Sequence, residues 1–555
     1  MKISEIPYKR MEIEQAKVDF NKIFEAFDKA QNADEQIAIY DQYIKLIKDF
    51  QTYFSLAYIR FTQNVEDKFY SDEKDYYDKN MPLFSEMAIK FLDKLVKSTF
   101  RKELEEKLSP LLFNRYETEL MTFNPVIIED LQEENLVVTE YVKLMSSAKV
   151  EFKGETLSIT QLNKYKFAKD RQTRKLAFDT HGAFLEKNSA TIDRIFDDLV
   201  KIRTRMAKKL GYRDYVELAY LIRNRNSYDR KDIADFRNQV LTDIVPAVSK
   251  LRKKQKKELG IDKIMIYDDQ IVLKDGDPTP KGTPEEIMES GKKMYYLMSE
   301  LTKEFFDFML EHDSFDVMAR KGKSGGGYCT NLPNFKLPFI FSNFNGTSGD
   351  IDVLTHEAGH AFFEYVSRGR RLFDLQVGSG METYEVHSMS MEFFAWNYLD
   401  LFYDDPTSYK RNHFASAFGF LPYGTIVDYF QHIMYENPDL TPLERNQVWL
   451  DLESKFRPEI SYEGVTYFEK GTRWQYQAHI FEHPFYYIDY CLAQTVALNF
   501  LVLIGKDRKA AWDKYMEFLK NSSLKFTDIL DKVDIESPFS DGVLKEAAKL
   551  PDIYY

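Results

Sequence analysis

His356, Glu357 and His360 fall together in the segment Asp352-Val-Leu-Thr-His-Glu-Ala-Gly-His-Ala-Phe-Phe-Glu364, an H-E-x-x-H pattern. On a helix the two imidazoles sit one turn apart on one face, about 6 Å along the axis, so one metal ion can take a nitrogen from each. Glu357, on the same turn, carries a carboxylate able to accept a proton from a metal-bound water, the chemistry of a zinc-dependent peptidase. With nine His in 555 residues, chance matches are expected at a level on the order of one in a hundred, so coincidence explains the pattern poorly.

Two His leave a catalytic zinc one protein ligand short, and the third comes as a rule from another segment. Met381-Glu-Thr-Tyr-Glu-Val-His-Ser-Met-Ser-Met-Glu-Phe-Phe-Ala-Trp396 offers Glu382, Glu385, His387 and Glu392, among which spacing does not choose. Gly378-Ser-Gly380 suits a turn that returns this second helix beside the first. The first helix has Ser348 or Asp350 as a cap, Val353, Leu354, Ala361 and Phe362 as apolar positions, and Gly369 as a stop. Gly359 inside it costs about 1 kcal/mol relative to Ala, which a close approach by another backbone, or plain packing, would justify.

Peptide hydrolysis places negative charge on the former carbonyl oxygen, so donors beyond the metal are expected. Trp474-Gln-Tyr-Gln-Ala-His-Ile-Phe-Glu-His-Pro-Phe-Tyr-Tyr-Ile-Asp-Tyr490 supplies them in His479, His483, Tyr486 and Tyr490 at helical spacing. Pro484 argues against one continuous helix and for one beginning near His483. An aromatic packing surface fits the same residues.

The elements that must position these groups read as mainly helical. From Met11 to about Leu120, stretches such as Ile23-Phe-Glu-Ala-Phe27 and Tyr40-Asp-Gln-Tyr-Ile-Lys-Leu-Ile47 have the apolar periodicity of amphipathic helices. Val150 to Ser158, with a Gly between short alternating runs, predicts a small hairpin before helix resumes near Gln161. Lys274 to Pro284 is the clearest loop, closed by a Thr283 cap with Pro284 at the first helical position. Between Gly325 and Gly349 strands and a hairpin are expected. Gly325 to Gly327 lacks the Lys of a phosphate-binding loop and better suits backbone pairing with an extended peptide, or a plain hairpin. Residues 1–200 are read as a helical N-terminal region and 201–555 as the catalytic region.

A chain of 555 residues exceeds one core and leaves ample material for a deep cleft. With 44% hydrophobic and 30% charged residues and no apparent bilayer-spanning run, it reads as a soluble protein, and Met1 to Arg10 lacks a signal-peptide core. Cys329 and Cys491 give no disulfide framework, so a cytoplasmic location is the default. The net charge of −13 disfavours nucleic acid and anionic membranes as partners. The basic run Arg252-Lys-Lys-Gln-Lys-Lys257 reads as a solvated helix face.

The H-E-x-G-H motif, preceded by Phe344-Asn-Gly-Thr347 and followed by Glu385-x-x-Ser388-x-x-x-Glu392, resembles the thimet oligopeptidase and oligoendopeptidase F family of zinc metallopeptidases, chiefly between Gly325 and Asn499 and more loosely over the N-terminal half. The resemblance implies a mainly α zincin-type fold with a small β element around the cleft, and one Zn2+ held by His356, His360 and Glu385. It implies an endopeptidase of short peptides in which Glu357 is the general base. His479 and Tyr490 are implied as substrate-binding and carbonyl-stabilising groups, with Tyr486 and Tyr487 competing for the latter role. Many members differ at His387, which here reads as a satisfied, non-functional His more than as one that supports the site or touches substrate. The competing readings are a metallocarboxypeptidase of similar envelope and a peptide-binding protein without activity, which end-blocked peptides and chelation separate.

Overall fold

Apolar residues spaced three and four apart turn most of this chain into helices, and the caps at their ends are local and polar. In a computed structural model that describes residues 1–274, 276–370, 378 and 380–555, the N-terminal layer is built from α1 (Ile13–Lys29), α2 (Ala33–Gln63) and α3 (Lys68–Val96). Asn32 accepts the Glu35 N–H to start α2, and Asp67 accepts those of Phe69 and Tyr70 to start α3. Ala16, Phe20, Ile23 and Phe27 form the buried stripe of α1. Their neighbours include Phe50 of α2 and Phe84 of α3, whose rings stack with centroids 3.8 Å apart.

The hairpin expected after Val150 is present as β1 (Lys149–Phe152) and β2 (Glu155–Ser158), in register from Lys149 opposite Ser158 to Phe152 opposite Glu155. Lys153 and Gly154 turn it with φ of 50° and 85°, the two left-handed residues that let a two-residue turn follow strand twist. Next comes α4 (Arg171–Lys209), capped by Asp170, which runs without a break through residue 200. Thr283 caps the helix Pro284–Met298 reciprocally with Glu286, as its sequence indicates; Asp275 of the preceding loop lies outside the described residues.

The glycine-rich stretch yields a three-stranded sheet. β3 (Phe315–Met318) lies parallel to β5 (Leu337–Phe344), and β4 (Tyr328–Leu332) lies antiparallel on its other side, Tyr328 opposite Phe341 and Leu332 opposite Leu337. β5 is central and buried, whereas β4 is an edge. A separate apolar cluster joins Ile3, Ile6, Leu56 and Ile59 of the N-terminal layer to Leu332, Leu337, Phe339 and Phe341 of this sheet.

The sheet leads into α5 (Ser348–Ser367), followed by α6 (Met381–Ala395), α7 (Pro406–Glu436), α8 (Tyr487–Lys506) and α9 (Arg508–Lys520). Four expectations are corrected here. Neither Ser348 nor Asp350 is the cap of α5: Thr347 occupies that position, and Asp350 reaches back to accept the N–H groups of Asn345 and Gly346 at 2.9 and 2.7 Å. The helix expected from His483 starts at Tyr487, because Pro484 and a left-handed Phe485 separate it from the short helix Ala478–Glu482. Arg252 is not on a solvated face but is buried against Asp269 at 2.5 Å. Finally, α8 is by length and composition apolar enough to cross a bilayer, yet Ile488, Leu492, Val496 and Phe500 are fully buried between its neighbours. The turn expected at Gly378 to Gly380 includes Ser379, which lies outside the described residues.

Candidate metal centre and active site

α5 and α6 touch backbone to backbone. A Cβ added to Gly359 would lie 2.5 Å from the Ser388 Cα and 2.7 Å from the His387 carbonyl oxygen, closer than any side chain tolerates. Of the two explanations open for this glycine, close backbone approach is the one observed. It brings the two His of α5 against Glu385 of α6: Glu385 Oε2 is 3.5 Å from His356 Nε2 and 3.8 Å from His360 Nε2. One donor atom from each of the three lies within 4.8 Å of the others. Two imidazole nitrogens and a carboxylate oxygen so placed fit a tetrahedral zinc with one position left for water or substrate.

Of the other candidates on α6, none joins this cluster directly. Glu382 is buried away from it, with Oε1 accepting the Gly380 N–H at 2.9 Å. His387 is fully buried, bonded through Nε2 to Ser522 Oγ at 2.9 Å and stacked on Phe363, with burial pushing its proton affinity well below that of a free imidazole. Glu392 stands behind His356, its Oε1 2.7 Å from Nδ1 and its Oε2 2.7 Å from His413 Nε2. A carboxylate only accepts, so His356 carries its proton on Nδ1 and keeps the Nε2 lone pair for a metal. Trp396 Nε1 donates to His413 Nδ1 at 2.9 Å and occupies the lone pair that a second proton would need. Burial works against a charge on Glu392, but hydrogen bonds from the two imidazoles outweigh it and hold the carboxyl down to about 2.

Glu357 faces β4, where the Cys329 backbone amide lies close enough to favour its charged form. Burial raises this carboxyl to about 7, with the charge of Glu385 adding to the rise and His356 opposing it. Burial lowers His360 to about 4. Burial also opposes ionisation of Glu385, yet hydrogen bonding and charge from the His pair hold it below the usual range.

The distal aromatic segment reaches the same centre. Tyr486 Oη donates to Glu385 Oε1 at 2.7 Å, so the two carboxylate oxygens face a tyrosine on one side and the His pair on the other. Tyr490 packs beside Tyr486, with ring centroids 4.9 Å apart. His479 lies 6.1 Å from the Tyr490 ring, and its Nδ1 meets the Gln477 amide at 3.1 Å, leaving Nε2 as the donor. Tyr487 turns away to pack against Phe420 and Tyr423. His483 is exposed.

What aims Tyr486 escaped the sequence. Phe485 holds φ at 63°, and both its backbone groups are clamped: its N–H donates to Gln431 Oε1 at 2.9 Å and its carbonyl accepts from Arg225 Nη2. Arg223 donates to the Pro484 carbonyl at 3.1 Å and lies over the Tyr486 ring. The Arg223-Asn-Arg225 pair after an apolar helix was the available signal, but its partners are some 260 residues away in sequence. Arg225 also pairs with Asp489 at 2.7 Å, both fully buried. Glu382 shares this pocket without a cation of its own; burial, followed by the Asp489 charge, raises it to about 8.

Comparison with known proteins agrees with this geometry. Residues 3–123 match the Peptidase M3 N-terminal domain and residues 164–549 match Peptidase family M3. A solved structure of PZ peptidase A with inhibitor 2 is 43% identical, with a TM-score of 0.94 over 100% of this chain and 99% of that one. Oligopeptidase PepF of Bacillus subtilis is 26% identical over 406 residues, 69% of this chain but only 58% of that protein's length. An oligoendopeptidase F homolog of Borreliella burgdorferi is 22% identical over 73% of this chain and 70% of its own. The fold and this constellation define a mainly α peptidase. The chain belongs to peptidase family M3, on its oligoendopeptidase F-like branch.

Two outcomes follow from the packing. Gly359→Ala forces α5 and α6 apart and lowers zinc affinity at least tenfold in a chelator-competition titration; unchanged affinity would refute the contact's role. Glu382, neutral when folded, contributes stability that is complete below an unfolded carboxyl value of about 4.3 and is lost as pH rises towards about 8. Glu382→Gln should therefore flatten the fall in Tm between pH 5 and pH 8.

Proposed function

We propose that this family M3 chain is a zinc-dependent endopeptidase that cuts internal bonds of short peptides. The observation that carries the reading is the convergence of His356, His360 and Glu385 with Glu357 on the same helical turn. A zinc ion bound by these three donors supplies a Lewis acid that polarises the scissile carbonyl and makes a water acidic near neutral pH.

The remaining work falls to the chain. Glu357 accepts the proton of the attacking water and returns it to the departing amine, so it acts as base and then acid. It lies beside the Cys329 backbone amide of the edge strand β4. That edge can pair with the backbone of an extended peptide, laying the bond to be cut alongside Glu357. Tyr490 and the Nε2–H of His479 are the donors assigned in this reading to the carbonyl oxygen as it gains negative charge. Tyr486 is held on Glu385 and steadies that carboxylate, with its ring against Tyr490. The oligopeptide restriction is supported by the name of the PepF relative, and two unpaired thiols suit the reducing cytoplasm.

An internally quenched peptide blocked at both ends tests the reading: cleavage between internal residues, abolished by a zinc chelator and restored by zinc, is expected. Release of terminal residues only, from unblocked peptides, would indicate a carboxypeptidase instead. Glu357→Gln should keep one zinc per chain by metal analysis and lose at least about a thousandfold in kcat. Tyr490→Phe should lower kcat by about tenfold to a hundredfold with little change in KM; an unchanged kcat would leave Tyr490 a packing residue.

A further inference from the structure

Beside His479, where Gln477 and Tyr487 form part of the wall, lies a cavity of about 350 Å³. Its walls include Lys166, Tyr423, Arg473, Tyr476, Gln477 and Tyr487, with Asp269 as the one carboxylate among them. It is continuous with the catalytic groups through two of these: Gln477 holds His479 at 3.1 Å, and the Tyr487 ring lies 4.8 Å from that imidazole. Tyr423 fixes Gln477 in turn, donating to its Oε1 at 2.6 Å.

The cavity carries more positive charge than its surroundings neutralise. Arg252, Arg457 and Arg473 share two carboxylates, Asp269 and Glu453, with contacts of 2.5 Å from Arg252 to Asp269, 3.0 Å from Arg457 to Glu453 and 3.3 Å from Arg473 to Glu453. Three cations against two anions leave one positive charge. Lys166 adds another: its Nζ bonds to His181 Nδ1 at 2.8 Å and lies over the rings of Phe178 and Tyr476. Among the described residues no carboxylate comes within 4.0 Å of the Lys166 ammonium. His181 is 2% exposed and kept neutral by burial, then by the Lys166 charge, so it accepts from the ammonium without compensating it. Burial, with the charge of Arg473, brings Lys166 down to about 8, which still leaves it charged at neutral pH. A desolvated cation without a counter-ion is costly, and a site that accepts an anion turns that cost into affinity.

We propose that this cavity is a carboxylate-recognition subsite in which Lys166 and Arg473 bind a carboxylate of the peptide substrate, with Tyr476 as a further donor. The inference rests on the peptidase reading and extends it, since a charge clamp beside His479 sets which peptides are held in register for cutting. The carboxylate is either the peptide's C-terminus or an Asp or Glu side chain; both present the same planar pair of oxygens to a guanidinium and an ammonium.

Four quenched peptides of one sequence separate these: C-terminal acid against amide, and Glu against Gln on the same side of the cut. Wild type should favour one charged member at least tenfold in kcat/KM, and the pair showing the preference identifies the source. Lys166→Met should abolish that preference by lowering the rate on the charged peptide while sparing its neutral counterpart, and Lys166→Arg should retain most of it. Equal losses on charged and neutral peptides, or no loss, would overturn the proposal. Should Lys166→Met fold poorly by its Tm, wild type alone decides, because absence of any charge preference refutes the subsite. If no peptide is cut, the peptidase reading fails separately, and calorimetric titration of zinc-loaded protein with the same acid and amide peptides decides the subsite: a tenfold difference in Kd supports it and equal Kd values refute it.

Discussion

The site depends on one steric constraint, the contact of α5 with α6 at Gly359. Only a residue without a Cβ lets the Ser388 backbone approach so closely, and only at that separation does Glu385 come within 4 Å of both His side chains. The contact is secured from both sides. Ser388 Oγ donates to the Glu385 carbonyl at 3.1 Å, and Tyr515 of α9 donates to the His387 carbonyl at 2.8 Å, each adding a bond to a helix carbonyl beside the crossing. Gly359 thus trades about 1 kcal/mol of helix propensity for the alignment of ligands on two helices.

A buried crossing that collects carboxylates must also keep them ionised. Desolvation alone would protonate Glu385 and Glu392, and each is held charged by groups on more than one element: the His pair and Tyr486 for Glu385, His356 and His413 for Glu392. Glu382, three residues before Glu385, lacks such partners and is pushed the other way. Neighbouring glutamates on one helix therefore differ in charge state because of which long-range partners reach them. Helix position supplies the direction, and tertiary contacts supply the chemistry.

That division explains what the residues revealed on their own. His356, Glu357 and His360 were legible because all three lie within one helical turn, where spacing is geometry. Glu385 needed the family pattern, since four acidic or imidazole side chains on α6 pass the same chemical test and only the Gly359 contact selects among them. The N-terminal helices and the β1–β2 hairpin were likewise written in local periodicity and turn residues. His413, Trp396, Gln431 and Arg225 were not, because each acts across a long sequence separation on a group that has no local mark of needing help. Phe485 in a left-handed conformation has no sequence signature at all, being a bulky residue where glycine or asparagine would be expected.

The strain at Phe485 has a structural justification in the way the two halves of the site meet. The candidate zinc ligands come from α5 and α6, while Tyr490 comes from α8 and Tyr486 from the residue that precedes it, and the hydrophobic surface of α8 fixes it in the core independently of them. A helix continued back through Pro484 would lack the N–H that Pro does not have and would carry Tyr486 around with the helical rotation. The break at Phe485 frees the direction of Tyr486 from the helix phase, and the Arg225 and Gln431 contacts set it. On the opposite side the edge strand β4 is fixed by the N-terminal layer through Leu332 and its neighbours Ile3, Ile6, Leu56 and Ile59. The candidate centre is therefore flanked by a strand held by the N-terminal layer and by an aromatic helix held by the main core, so residues far from it fix the walls on either side.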